Sequence, residues 1–124
     1  KQKPKVLVVD DSDFMRARIV QLLCADYELI EAASSISAIK KIAVNRPDLV
    51  LLDYEMPVCD GKQALEMIRS DKDIADIPVI FLTGKGDRES VKNVVALKPE
   101  GYLLKVMPDE EIKKSIDAFF AKKM

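Results

Sequence analysis

Three carboxylates, a hydroxyl and an ammonium stand at the ends of short apolar runs spread over the whole chain. Asp10 and Asp11 follow Val6 to Val9, Asp53 follows Leu49 to Leu52, Thr83 and Gly84 follow Val79 to Leu82, and Lys105 follows Gly101 to Leu104. Carboxylates packed together repel, and each raises the pKa of the others. A bound divalent cation resolves that conflict. Oxygen donors without His or Cys suit a hard ion, Mg²⁺ ahead of Ca²⁺, held by few protein ligands and several waters. Mg²⁺ held in this way is typical of phosphoryl chemistry. Lys105 supplies a point charge for a phosphoryl oxygen and Thr83 a hydrogen-bond donor. A carboxylate can itself be the nucleophile and carry the phosphoryl group as an aspartyl phosphate. A single Asp after a strand is more often a cap or a turn former. Four successive strand ends carrying acid, acid, hydroxyl and cation are not explained that way.

These residues meet only if the elements between them bring the strand ends together. The runs 6–9, 49–52 and 79–82 are continuous and rich in Val, Ile and Leu, as strands covered on both faces are. Residues 28–32, Glu-Leu-Ile-Glu-Ala, are more polar and suit an edge strand, and 101–104 suits the other edge. Helical periods lie between them. The first opens near Ser12 or Asp13, good N-cap types, with Phe14, the stem of Arg18, Val20, Leu22 and Leu23 as its apolar face. The others carry Ile36, Ile39, Ile42 and Ala43; Ala64, Leu65 and Ile68 after Gly61; Val91, Val94, Val95 and Leu97; and Ile112, Ile116, Phe119 and Phe120 after Pro108. Phe119 and Phe120 are expected not to face the core together, which leaves one for a following segment or a partner. The charged stretch 69–76 reads as a solvated helix end and loop. Tyr27 and Tyr54 read as packing or surface residues, and the five Met as core filler and loop residues.

Five strands each followed by a helix make an α/β fold of (βα)5 type. Parallel strands need crossover helices, and right-handed crossovers put helices on both faces of the sheet. With the second and fifth strands at the edges, the order is 2-1-3-4-5. Ligands of such sheets sit at the carboxyl ends of the strands, where the order reverses, between the first and third strands. The acids stand there.

Composition narrows the function further. The chain has 124 residues and 48% hydrophobic content, enough for one domain with a core that needs no staples. Twenty basic against 21 acidic side chains, a net charge of −1, argue against direct nucleic-acid contact. The absence of His excludes a Ser-His-Asp triad, a His-ligated zinc and a histidine phosphocarrier within this chain. Cys24 and Cys59, 35 residues apart and outside any CxxC pattern, read as reduced intracellular thiols. No apolar run has the length of a membrane span, and the N-terminal run is too short for a signal peptide, so a cytoplasmic location is expected. The lack of an initiating Met leaves open a piece excised from a longer chain.

Residues VLVVDDSD (6–13), LLDYEMPVCDG (51–61), FLTG (81–84) and GYLLK (101–105) occur in order over the whole chain. With them the sequence resembles the receiver domain of two-component response regulators. The resemblance implies a single receiver domain over 1–124 with a flavodoxin-like doubly wound sheet. It implies that Asp53 accepts a phosphoryl group and that Lys105 and Thr83 contact that group. Asp11 and Asp53 would bind Mg²⁺ by their carboxylates, Asp10 through water and Glu55 by its backbone carbonyl. Thr83 and Tyr102 would form the switch, and Met56-Pro57 and Gly61 would shape the neighbouring loop, with Gly61 expected in a backbone conformation that other residues resist. The donor would be a phosphohistidine of a sensor histidine kinase or a histidine phosphotransfer protein. The fourth helix, fifth strand and fifth helix would form the output face for a downstream effector domain or protein, with room for a phosphorylation-dependent homodimer. Such a domain is not a turnover enzyme; it catalyses its own phosphorylation and dephosphorylation.

One departure from the family pattern stands out. Pro commonly follows the lysine, often as a cis peptide, whereas Val106 follows Lys105 here. A cis bond before Val costs roughly 2.5–4 kcal/mol, so a trans bond and a different loop are expected. Glu55 and Lys85, of opposite charge, predict an ion pair across the site mouth that hinders a hydrolytic water. Two rivals remain. Asp11-Ser12-Asp13 is an Asp-x-Asp pattern, as in haloacid-dehalogenase-type phosphatases, which would place the nucleophile on the first strand. A degenerate receiver acting only as a binding module is the other. A dinucleotide site is excluded, because two Asp stand where Gly-x-Gly-x-x-Gly is needed.

Overall fold

The computed structural model describes residues 3–84 and 88–123, apart from the Arg88 side chain. Five strands alternate with five helices: β1 (Lys5–Val9), α1 (Asp13–Leu23), β2 (Glu28–Ala32), α2 (Ser35–Val44), β3 (Leu49–Leu52), α3 (Gly61–Ser70), β4 (Val79–Thr83), α4 (Arg88–Val95), β5 (Gly101–Leu104) and α5 (Asp109–Lys123). The strands form one sheet in the order β2-β1-β3-β4-β5. Every pairing is parallel. The (βα)5 fold and strand order expected from the apolar runs are those observed.

The central strands divide their side chains between two apolar layers. Leu7, Val9, Val50, Leu52, Val79 and Phe81 face one layer, closed by Ala38 and Ile42 of α2, Ala64, Leu65 and Ile68 of α3, and Val94 of α4. Val6, Val8, Leu49, Leu51, Ile80 and Leu82 face the other, closed by Ile19 and Leu23 of α1 and Ile112 and Ile116 of α5. Burial on both faces is why these runs show no polar alternation. Of the edge strands, β2 is exposed or half-buried except at Ala32, and β5 is half-buried throughout.

The helix faces differ from expectation at several positions. Ser12 caps α1 by accepting a hydrogen bond from the Met15 amide at 3.2 Å, which fixes the helix phase. Ile19 and Leu23, four residues apart, then face the sheet. Phe14, five residues before Ile19, points away and is 77% exposed. Val20 is only half-buried. Ile36 and Val95 are likewise exposed beside the buried Ile42 and Val94.

Three further expectations are corrected. Phe119 and Phe120 are both half-buried against the α1/α5 layer, in edge-to-face contact at 5.0 Å, with Phe120 also 5.1 Å from the Tyr27 ring. Successive helix positions diverge by about 100°, so the two rings straddle the core boundary and both pack against it. The stretch 69–76 is not simply solvated. Ile74 is buried, and the half-buried Arg69 donates to the carbonyls of Ala75, Ile77, Leu97 and Lys98. Gly61 does not use positive φ, which no described glycine adopts.

Candidate functional site

Strand register brings the chemistry-bearing residues together. Val9 pairs with Leu52, so the next residues, Asp10 and Asp53, emerge side by side, and the Asp53 amide donates to the Val9 carbonyl at 3.0 Å. Thr83 pairs with Leu104, and its carbonyl accepts the Lys105 amide at 2.9 Å. The switch in strand order between β1 and β3 therefore opens onto Asp10 and Asp53, with Thr83 and Lys105 on the adjoining strands. Asp10, Asp53 and Thr83 are buried. Asp11 and Glu55 are exposed at the mouth.

The Lys105 ammonium bridges two of the acids, 2.7 Å from Asp10 Oδ2 and 3.2 Å from Asp53 Oδ2. Burial pushes the Asp53 carboxyl above its ordinary pKa; Asp10 pushes it the same way, against the opposing pull of Lys105 and a hydrogen bond with the Thr83 side chain. Burial lowers the Lys105 pKa, but the contacts with Asp10 and Asp53 outweigh it and hold the ammonium above its usual range. The ammonium is thus the standing counter-ion of the acidic pair.

Carboxylate oxygens of Asp10, Asp11 and Asp53 all lie within 4.8 Å of one another. That spacing lets the three share one small cation, and an all-oxygen donor set fits Mg²⁺. The amide of Glu55 donates to Asp53 Oδ1 at 3.4 Å, which turns the acceptor carboxylate toward the start of the following loop. Lys85, the expected partner of Glu55, lies outside the described residues.

The loop after β3 is shaped by close packing. A Cβ on Gly61 would lie 2.5 Å from the Asp53 carbonyl oxygen, 2.7 Å from Tyr54 Cα and 2.9 Å from a Phe81 ring carbon. Its amide donates to the Tyr54 carbonyl at 2.7 Å. The glycine is required because the backbone passes so close, not because of an unusual φ. Asp60 and Gln63 form a capping box that starts α3 there. Met56 is buried in the same loop.

Aromatic contacts connect this centre to the far face. The Phe81 ring lies 5.9 Å from Tyr54 and 5.5 Å from Tyr102. The Tyr54 hydroxyl accepts from the Asn93 amide of α4 at 3.4 Å. Tyr102 is half-buried on β5, beside the strand that ends in Thr83.

Two arginines of α1 were not anticipated at the site. Arg16 donates to the Asp10 carbonyl at 2.6 Å and pairs with Asp13 and Glu31. Arg18, read from sequence as an apolar stem, donates to the Lys105 carbonyl at 2.9 Å and the Met107 carbonyl at 3.1 Å, and pairs with Asp109 at 2.6 Å. The only hint in the sequence was the placing of two cations on the helix that follows the acidic pair. Their carbonyl partners depend on the tertiary packing.

A family model of the response regulator receiver domain matches residues 6–117. The chemotaxis protein CheY of Halobacterium salinarum is 34% identical over 102 residues, covering 82% of this chain and 83% of that protein. Hybrid signal transduction histidine kinase D of Dictyostelium discoideum is 33% identical over 110 residues, 89% of this chain but 7% of the kinase. The chain thus spans a small part of some relatives and most of others. The structure of chemotaxis protein CheY4 from Vibrio cholerae superposes with a TM-score of 0.87 at 29% identity, covering 94% of this chain and 98% of that one. Among the described residues, no helix is long and apolar enough to cross a membrane.

Proposed function

This chain belongs to the response regulator receiver domain family, and on that premise we propose that it takes a phosphoryl group onto Asp53 from a phosphohistidine. The observation that carries this reading is the buried Asp53 carboxylate, bridged by Lys105 to Asp10 and within ion-sharing distance of Asp11. The donor is a sensor histidine kinase or a histidine phosphotransfer protein, and the absence of His from this sequence is consistent with a borrowed histidine.

In the transfer, an Asp53 Oδ lone pair forms the new bond to phosphorus. The phosphorus–nitrogen bond of the donor breaks, and its electron pair stays on the imidazole, which takes a proton. The product is an acyl phosphate on Asp53. Asp10, Asp11, Asp53 and the Glu55 backbone carbonyl would hold Mg²⁺, which would supply positive charge against that developing on the phosphoryl oxygens. Lys105 is already within reach of Asp53 and moves its charge onto a phosphoryl oxygen. The Thr83 hydroxyl exchanges its bond with Asp53 for one to the phosphoryl group. Burial helps here, because charges placed in a dry pocket interact more strongly than in water.

Phosphorylation adds charge and acceptor oxygens at this rim. Thr83 follows them, and Tyr102 packs into the space it leaves. The face formed by α4, β5 and α5 then shifts between two states and is read by an effector domain or protein, or by a second phosphorylated copy. The domain acts in the cytoplasm and turns over no external substrate.

Incubation with a small-molecule phosphodonor and Mg²⁺, followed by intact mass measurement, tests the reading. One added phosphoryl group that depends on Mg²⁺ supports it. No adduct under any Mg²⁺ concentration leaves a receiver fold used only for binding.

A further inference from the structure

We propose that Arg18 is a positioning residue for Lys105: its guanidinium fixes the loop after β5 and so sets the direction from which the ammonium reaches Asp53. The proposal rests on the reading of Lys105 as the residue that meets the phosphoryl group.

Four contacts carry it. Arg18 Nη1 donates to the Lys105 carbonyl at 2.9 Å, Nη2 to the Met107 carbonyl at 3.1 Å, and Nε to Asp109 Oδ1 at 2.7 Å, with Nη2 also 2.6 Å from that oxygen. The Arg18 side chain is only 21% exposed. One planar fork from α1 therefore ties two carbonyls of the loop to the first turn of α5. A guanidinium suits this because its donors are fixed in one plane, whereas an ammonium offers a single point.

The loop's other anchor is Met107, which packs against the α1/α5 layer and whose Sδ accepts the Leu104 amide at 3.4 Å. Val106, by contrast, is 85% exposed. No cis peptide bond occurs among the described residues, and Val106 lacks the ring that would lock φ at this position. The backbone bonds present run from the Lys105 amide to Thr83 and from the Met107 amide to Leu104. With its amide held by Thr83 and its carbonyl by Arg18, Lys105 has both flanks of its Cα fixed. Its side chain then spans to Asp10 and Asp53 from a rigid origin. A displacement of about 1 Å at that origin is enough to slow a positioned reaction by orders of magnitude.

The test compares wild type with Arg18→Met, which keeps an unbranched stem, with Arg18→Lys, and with Asp109→Asn, which removes the charge from the α5-side anchor at a half-exposed position. Two readouts are taken: backbone hydrogen exchange over residues 104–109, and the phosphorylation rate with a small phosphodonor beside the Mg²⁺ dissociation constant. In Arg18→Met, exchange of 104–109 is expected to rise about tenfold. The rate at saturating Mg²⁺ falls by about tenfold or more while Mg²⁺ affinity does not fall, because the carboxylates follow other strands. Arg18→Lys does not restore the rate, and Asp109→Asn shifts both readouts the same way by less. Wild-type rates in Arg18→Met overturn the proposal. So does faster exchange with an unchanged rate, or parallel loss of rate and Mg²⁺ affinity, which marks general damage. Failure of the functional reading looks different: wild type itself would take up no phosphoryl group. The exchange comparison needs no phosphodonor and still decides whether Arg18 holds the loop.

Discussion

Lys105 Nζ lies nearer to Asp10, at 2.7 Å, than to Asp53, at 3.2 Å. The ammonium is therefore the counter-ion of the acidic pair, and it would compete with a bound Mg²⁺ for the same charge. Replacing it with the uncharged Lys105→Met should tighten Mg²⁺ binding by roughly tenfold, the effect of about 1.4 kcal/mol of repulsion removed. The same variant should accept a phosphoryl group more slowly. Calorimetric titration with Mg²⁺ checks the first part, and weaker Mg²⁺ binding in the variant would refute this account of Lys105.

Asp53 carries a stability cost that depends on pH. Burial, with Asp10 adding to it, raises its pKa in the folded protein, whereas in the unfolded chain it titrates near an ordinary Asp at about 3.9. Below that value both states hold the proton and no cost arises. As pH rises through the folded pKa, the native state must bear a charge it disfavours, and stability is lost. Asp53→Asn removes that charge. Without Mg²⁺, its melting temperature should exceed wild type by about 2–4 °C near pH 7, and the gap should close as pH falls below about 4. A gap that widens on acidification would reverse the sign of the argument.

Gly61 is held to its identity by space. An added methyl would meet the Asp53 carbonyl at 2.5 Å and Tyr54 Cα at 2.7 Å, both backbone atoms that cannot step aside cheaply. Gly61→Ala should cost about 1–3 kcal/mol in urea denaturation. It should also weaken Mg²⁺ binding, since the backbone it displaces carries Asp53. An alanine variant as stable as wild type would show that the loop relaxes freely.

The same loop contains a residue in the wrong conformation for its type. Val58 has φ of 72° and is 95% exposed. A β-branched residue in the left-handed region is strained, and here no packing compensates. Val58→Gly should stabilise the protein by about 1 kcal/mol. Thermal unfolding of the pair measures this directly.

The strands and their order were legible because 6–9, 49–52 and 79–82 are apolar without alternation, and only burial on both faces asks for that. The placing of Asp10, Asp53, Thr83 and Lys105 was legible for a related reason: each ends or follows a strand whose carboxyl end must face one rim. Helix faces were less legible. A single cap at Ser12 sets the phase of α1, and it turns Phe14 outward although its apolar character suggests the core. Arg16, Arg18 and Arg69 were missed altogether as structural donors. Their acceptors are backbone carbonyls, which every residue has, so the sequence carries no mark of which one is met. The loop at Val106 shows the same limit. A departure from the family pattern was visible, but the side chain that compensates comes from α1, 87 residues away from Lys105.

Asp53, and no other carboxylate, is proposed to receive the phosphoryl group. Borohydride reduction of the phosphorylated protein, followed by peptide mass mapping, converts the acyl phosphate to an alcohol and marks the residue that bore it. The mark is expected on Asp53 alone, absent in Asp53→Asn and in samples without Mg²⁺. A mark on Asp11, retained in Asp53→Asn and lost in Asp11→Asn, would place the nucleophile on the loop after the first strand and contradict it.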